Sequence, residues 1–250
     1  MDLEDVQKNW EEFGETNPLW AVLTNNGAWD PEEFFGTGRA SVEAVLAHLA
    51  ARSIEVPKGT VLDFGCGVGR LSRALSAHFE RVVGVDIASS MVELARKLNE
   101  DFSGCEFVLN QRGDMSQFDD ASLEVVFSLI TLQHVEPRYS KAYLADFVRL
   151  LKPGGLLIFQ LPAKKLEKPK KLGRSIERGL KELIPSSLRE KWRERKEKAR
   201  KNPKMETYAV PRPEIEALLT ETGCELLDVV EDDAAGRRFL GYRYTARKRG

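Results

Sequence analysis

The stretch Val61-Leu62-Asp63-Phe64-Gly65-Cys66-Gly67-Val68-Gly69-Arg70-Leu71 constrains the fold more than any other part of the chain. An apolar run ends in an acid, three alternating glycines follow, and helical periodicity begins at Leu71. The segment therefore predicts a strand, a tight turn and a helix N-terminus. Glycine permits positive φ and lets a ligand approach the backbone closely. A helix N-terminus offers unpaired N–H groups and the positive end of its dipole. A nucleotide-type cofactor suits such a turn. Arg70 stands where the dinucleotide fingerprint G-x-G-x-x-G has its third glycine, which disfavours NAD or FAD and favours a cofactor without a pyrophosphate.

The pattern after the turn is a regular alternation. Strands are predicted over 60–64, 81–85, 106–109, 123–129 and 156–161, with helices over 71–79, 90–99 and 137–151 between them. Strands alternating with helices argue a doubly wound, mostly parallel α/β sheet with helices on both faces. All C-terminal strand ends then share one edge, where ligands bind. Four regions are expected. Residues 1–38 form an irregular, aromatic-rich cap, with a helix start at Asp30-Pro31-Glu32-Glu33. Residues 39–162 form the core, opening with a helix over 39–52. Residues 163–204 form an inserted helical hairpin, and 205–250 close the sheet with a short strand at 205–210, a helix at 213–222 and strands at 225–230 and 238–246. The cap is read first as packing on the main domain, with a lid over the cofactor and substrate mouth as the alternative that can hold beside it.

The formal net charge of −1 hides an asymmetry. Residues 164–204 hold 17 basic and 6 acidic side chains, a local +11, which leaves the remainder at −12. Such a block is a solvated helical face or a surface for something anionic. Cys66, Cys105 and Cys224 are scattered, which argues reduced thiols, a cytoplasmic setting and neither a disulfide frame nor a metal site. The acidic N-terminal residues argue against a secretory signal. No apolar stretch has the length of a membrane span.

Two side chains point to chemistry on their own. Asp86 ends the second strand about 20 residues after the glycine turn, where a carboxylate can accept both ribose hydroxyls; its alternative is an N-cap for the following helix. His134 is the one histidine in a loop leaving a strand. Its near-neutral pKa suits a general base on an acceptor hydroxyl, and the rival reading is a structural histidine bonding a backbone carbonyl.

Taken together, the glycine turn, Asp86, Gly113-Asp114-Met115 and the loop from Ser128 to Val135 resemble the class I S-adenosylmethionine-dependent methyltransferases. The resemblance covers residues 40–162 well and 205–248 more weakly. It implies a seven-stranded sheet with one antiparallel strand, S-adenosyl-L-methionine as cofactor, S-adenosyl-L-homocysteine as product, and no metal. It also implies cofactor contacts at Asp63, Gly65, Cys66, Gly67, Gly69, Asp86, Ile87, Met91, Asp114, Met115 and Ser128. Asp63 would orient the turn, Ile87 and Met91 would wall the adenine, and Asp114 would face its exocyclic amine. Arg39, Gln133, His134 and Gln160 are expected in the substrate pocket, with Arg39 toward the methionine carboxylate. The Asp/Asn-Pro-Pro-Tyr signature of amide and adenine N-methylation is missing after strand 4, where Ser128-Leu129-Ile130-Thr131 stands. The expected activity is methyl transfer to a small-molecule acceptor, with O-methylation ahead of N or C. The alternatives are a methyltransferase that holds RNA or another polyanion on the basic block, and a non-catalytic cofactor-binding adaptor. The basic block admits an anionic acceptor; oligomeric state is not legible.

Overall fold

The computed structural model of the chain describes residues 2–24, 28–167 and 203–250. Seven strands form one sheet: β1 (Thr60–Phe64), β2 (Arg81–Asp86), β3 (Cys105–Leu109), β4 (Leu123–Ser128), β5 (Leu151–Lys165), β6 (Cys224–Asp232) and β7 (Phe239–Lys248). Their order is β3-β2-β1-β4-β5-β7-β6. The first five run parallel, and β7 is antiparallel to both β5 and β6. The chain crosses from β3 on one side of β1 to β4 on the other, so the strand order reverses between β1 and β4. A crevice opens outside the C-terminal ends of strands at such a reversal.

The helices are α1 (Leu3–Thr16), α2 (Pro18–Val22), α3 (Pro31–Ala51), α4 (Arg70–Leu75), α5 (Ser89–Leu98), α6 (Pro137–Leu150) and α7 (Arg212–Glu221), with a 3-10 turn at Leu132–His134. Both sheet faces are buried, so β1 and β4 read as near-continuous apolar runs. Val42, Val45 and Leu49 of α3 pack with Val61, Val125 and Ile158 on one face. Leu144 and Phe147 of α6 pack with Leu62, Val126 and Phe159 on the other.

The N-terminal region departs from the expected irregular cap. It holds two helices, and the helix expected to start at Asp30-Pro31 does so and runs unbroken to Ala51, so no separate helix begins at 39. Val6, Trp10 and Phe13 recur at helical spacing, and Asp2 caps α1 by accepting from the backbone N–H of Asp5 at 2.9 Å. Asp30 accepts from Glu32 and Glu33 N–H, each at 3.0 Å, and so starts α3. Gly38 sits inside α3 because α4 crosses it there: a Cβ would lie 2.2 Å from the Arg70 carbonyl oxygen. Helix α4 is shorter than expected, ending at Leu75. Strand β5 starts at Leu151, and its register against β4 shifts between Leu123 and Val125. The Pro153-Gly154-Gly155 sequence is thus an irregularity within a strand, with Gly154 at φ +80. Residues 205–210 form no strand. They run extended, fixed by Tyr208 N–H to Gln133 O (2.8 Å) and Val210 N–H to Pro162 O (2.9 Å). The expected helices of the basic block lie outside the described residues. Among the described residues no helix is long and apolar enough to cross a membrane.

Candidate functional site

A cavity opens at the C-terminal edge of β1, β2 and β4. Gly65 and Gly67 of the glycine turn line its floor, while Gly69 packs against Asn99 and Phe107. Gly65, Gly67 and Gly69 all have positive φ (+75, +52 and +85). At Gly65 a side chain is also sterically barred, since a Cβ would lie 2.0 Å from Thr131 Cγ2. Gly65 and Cys66 N–H both donate to Val85 O (2.7 and 3.0 Å), which locks the turn against the end of β2.

Asp86 lines the cavity and also braces the turn. Its Oδ2 accepts from Gly67 N–H at 2.9 Å and its Oδ1 from Ala88 N–H at 3.0 Å. Burial raises its pKa, while backbone N–H groups of Ala88, Gly67 and Ile87 pull the other way. Each carboxylate oxygen keeps lone-pair capacity for a further donor. Ile87 also lines the cavity.

Other expected contacts lie just behind the cavity wall. Asp63 is 1% exposed and accepts Ser72 Oγ–H at 2.6 Å; burial pushes its carboxyl up to about 6. Ser128 Oγ donates to Phe64 O (3.1 Å), tying β4 to β1. Met91 packs with Val68 and Ala88 in the core. Cys66 packs with Val92, Ala95 and Phe107, and burial pushes its thiol well above the ordinary range, which makes it a poor nucleophile.

Asp114 is exposed, and its carboxylate turns to Ser116 N–H and Oγ–H (3.1 and 2.7 Å). Met115 N–H donates to Asp146 Oδ2 at 2.8 Å, and its side chain is buried. Asn110 lines the cavity at this end, its amide fixed by Asp114 O and Arg112 N–H. Arg39 is exposed, in a groove with Glu32 and Glu43 away from the cavity. Arg70, the residue after the turn, is the arginine that lines the cavity. Gln160 is fully buried beneath it, where Oε1 accepts Ile130 N–H at 3.3 Å. That bond supports Ile130 at φ +65, a conformation costly for a β-branched residue.

The roof comes from three distant segments. Leu3, Val6 and Trp10 of α1 and Val22 of α2 face the cavity. Helix α5 has no capping side chain of its own at Ala88. Instead Glu11 of α1 accepts Ser89 Oγ–H at 2.6 Å and Ser90 N–H at 3.0 Å, and Ser90 Oγ–H donates to Glu11 O at 3.0 Å. His134 joins the roof to the returning chain. Its Nδ1 bonds Glu206 O at 2.7 Å, its Nε2 faces Gln133 Nε2 at 3.1 Å, and its ring meets Trp10 edge-on at 5.6 Å. A carbonyl only accepts, so Nδ1 carries the hydrogen and the Nε2 lone pair receives the Gln133 amide. Burial lowers the His134 pKa, so the ring is neutral at neutral pH. Service as a base on an acceptor would require Gln133 to release Nε2. Among the described residues no cluster of three or more His, Cys, Asp or Glu side chains is placed to hold a metal.

Comparison with known proteins agrees with this geometry. Residues 61–155 match the model of a methyltransferase domain. Over those residues the chain carries a methyltransferase domain. It is 29% identical over 143 residues to a carboxy-S-adenosyl-L-methionine synthase of Alteromonas mediterranea, covering 56% of this chain and 57% of that protein. It is 31% identical over 123 residues to a tRNA N(3)-methylcytidine methyltransferase of Drosophila melanogaster, covering 46% and 38%. The chain thus spans less than two thirds of either relative. Across its whole length the fold resembles the magnesium protoporphyrin IX methyltransferase of Synechocystis PCC 6803 with bound S-adenosylhomocysteine, at TM-score 0.63 and 21% identity, covering 99% of this chain and 100% of that one.

Proposed function

We propose that this chain methylates a small-molecule acceptor, with S-adenosyl-L-methionine as donor and a hydroxyl oxygen as the favoured nucleophile. The observation that carries the reading is Asp86. A two-oxygen carboxylate at the end of β2 faces a cavity whose floor includes Gly65 and Gly67, both with positive φ. Two vicinal ribose hydroxyls match two carboxylate oxygens in fixed geometry. Asp86 and Asn110 offer polar atoms at the β2 end, Ile87 offers an apolar wall, and the glycines let a ligand approach without Cβ atoms.

Bound S-adenosylmethionine supplies a methyl group already activated as a sulfonium. The protein's task is then orientation and exclusion of water, which can supply much of the rate. Phe64 and Ile130 below and Trp10, Val6 and Leu3 above close the cavity with apolar groups. His134 holds the roof segments together and, once Gln133 moves, offers Nε2 to an acceptor proton. The enclosed roof favours a compact acceptor over a polymer. The apolar lining favours an acceptor with an apolar body.

Support for a second reading comes from the basic block at 164–204 and the tRNA-modifying relative. An RNA acceptor would bind with steep salt dependence. The deciding experiment has two stages. Calorimetric titration with S-adenosylhomocysteine should give a saturable heat where NAD gives none. A labelled-methyl screen of metabolite extracts and total RNA, read by mass spectrometry, should then place the label in a small molecule. Label in RNA alone would sink the small-molecule reading, and heat with NAD alone would sink the cofactor reading.

A further inference from the structure

The glycine turn already has a cover of its own. Val22 of α2 stands directly on Gly67, where a Cβ would lie 2.5 Å from Val22 Cγ2. A methyl group of this chain thus fills the space that the absent side chain leaves. Leu3 of α1 presses in at the other end, and a Cβ at Gly113 would lie 3.0 Å from its Cδ1. Between these groups and the floor the cavity volume is about 80 Å³. Pockets that bury a drug-sized molecule run to about 300 Å³ or more. The proposed donor, with a purine, a ribose and an amino-acid arm, belongs to that larger class. It cannot lie along the turn while α1 and α2 keep these positions.

The cover is fastened from outside the cavity. Glu11 holds Ser89 and Ser90 of α5. Gly14 lets α1 lie against the same spot, since a Cβ there would come within 2.1 Å of Ser90 Oγ. Asn9 Oδ1 accepts Lys204 N–H at 3.0 Å. None of Asn9, Glu11 and Gly14 lines the cavity. The fastening is also imperfect. Glu11 Oε2 is buried without a hydrogen-bond partner, which costs free energy. Glu11 lies close enough to Asp86 for the two carboxylates to repel. A ligand that binds only the lifted arrangement can release a latch of this kind. We infer that α1 and α2 form an autoinhibitory cover: Val22 occupies the donor's seat on Gly67, and donor binding lifts the cover and breaks the Glu11–Ser90 clasp. The inference rests on the proposed cofactor and adds the regulation of its site. Its sign is opposite to that of a lid that only closes on a ligand. Such a lid adds contacts to the complex, so loosening it weakens binding. A tethered competitor reduces the binding-competent fraction, so loosening it tightens binding.

The test measures binding, not turnover. Wild type, Glu11→Ala, Gly14→Ala and Val22→Ala are titrated calorimetrically with S-adenosylhomocysteine. Glu11→Ala and Gly14→Ala leave every cavity wall in place and should bind about fivefold more tightly than wild type. Val22→Ala empties part of the seat and should bind about threefold more tightly. Hydrogen exchange on wild type gives a readout that needs no variant. Saturating S-adenosylhomocysteine should speed exchange at the Ser90 amide, which loses its acceptor when the cover lifts. That measurement and Glu11→Ala carry the comparison if Gly14→Ala does not fold. Unchanged or weaker binding by Glu11→Ala, or slower exchange at Ser90 in the complex, would overturn the inference. Failure of all four proteins to bind would instead overturn the cofactor reading itself.

Discussion

The floor and the roof of the cavity are built on opposite principles. The floor is local: Phe64 to Arg70 and Asp86 lie within one strand–turn–helix–strand unit, and each glycine is fixed by its own backbone angle. The roof is assembled from α1, the turn at Leu132–His134 and the extended chain at 203–210, which meet around Trp10 and His134. A floor of this kind forms once the sheet forms. The roof forms only when distant segments dock, so it belongs to the weaker part of the structure. The difference teaches that ligand recognition and ligand enclosure can be perturbed separately.

The largest effect should come from the floor. Gly65→Ala forces a Cβ into a left-handed conformation and against Thr131, and should cost about 3 kcal/mol of stability by chemical denaturation. A loss below about 1 kcal/mol would show that the turn relaxes freely. Beneath the floor, Asp63 titrates upward because it is buried. The folded state then binds its proton more tightly than the unfolded state. Its contribution is most favourable below pH 3.8 and declines as pH rises to about 6. Asp63→Asn removes that dependence, so between pH 4 and 7 its stability relative to wild type should rise by about 2 kcal/mol. Parallel profiles would mean that the carboxylate is solvated in the folded protein.

Asp86→Ala should weaken S-adenosylhomocysteine binding more than tenfold, about 1.4 kcal/mol or more. The carboxylate also holds Gly67 and Ala88 N–H, so circular dichroism must confirm the fold at the titration temperature. Unchanged affinity would separate Asp86 from the ligand altogether. The smallest effect belongs to the roof. Glu11→Ala should cost about 1 kcal/mol and speed amide exchange at Ser90. Exchange at the wild-type rate would show that α1 rests on α5 without capping it.

The same contrast explains what was legible in the sequence. The strands of the core were readable because burial on both faces writes them as apolar runs, and the turn was readable because positive φ demands glycine. Asp86 was found by its distance from that turn. Helix α1 was missed although Val6, Trp10 and Phe13 carry its period, because their aromatic bulk read as irregular packing. The start of α3 was legible in Asp30-Pro31, but its unbroken run through 39 was hidden by Gly36 and Gly38. Arg39 and Arg70 could not be ranked from sequence. Which arginine enters the cavity depends on how α3 crosses α4, a packing fact that leaves its only local trace in Gly38. Asn110 was hidden for a similar reason, since its side chain is aimed by Arg112 and Asp114 across a loop of no regular period.

Helix α5 borrows its N-terminal acceptor from Glu11, a residue of the covering helix. Lifting that cover leaves the Ser90 amide without its partner, so the open form pays in helix stability as well as in lost apolar contact. Any separation of α1 from α5 therefore breaks a carboxylate–serine clasp that lies outside the cavity lining.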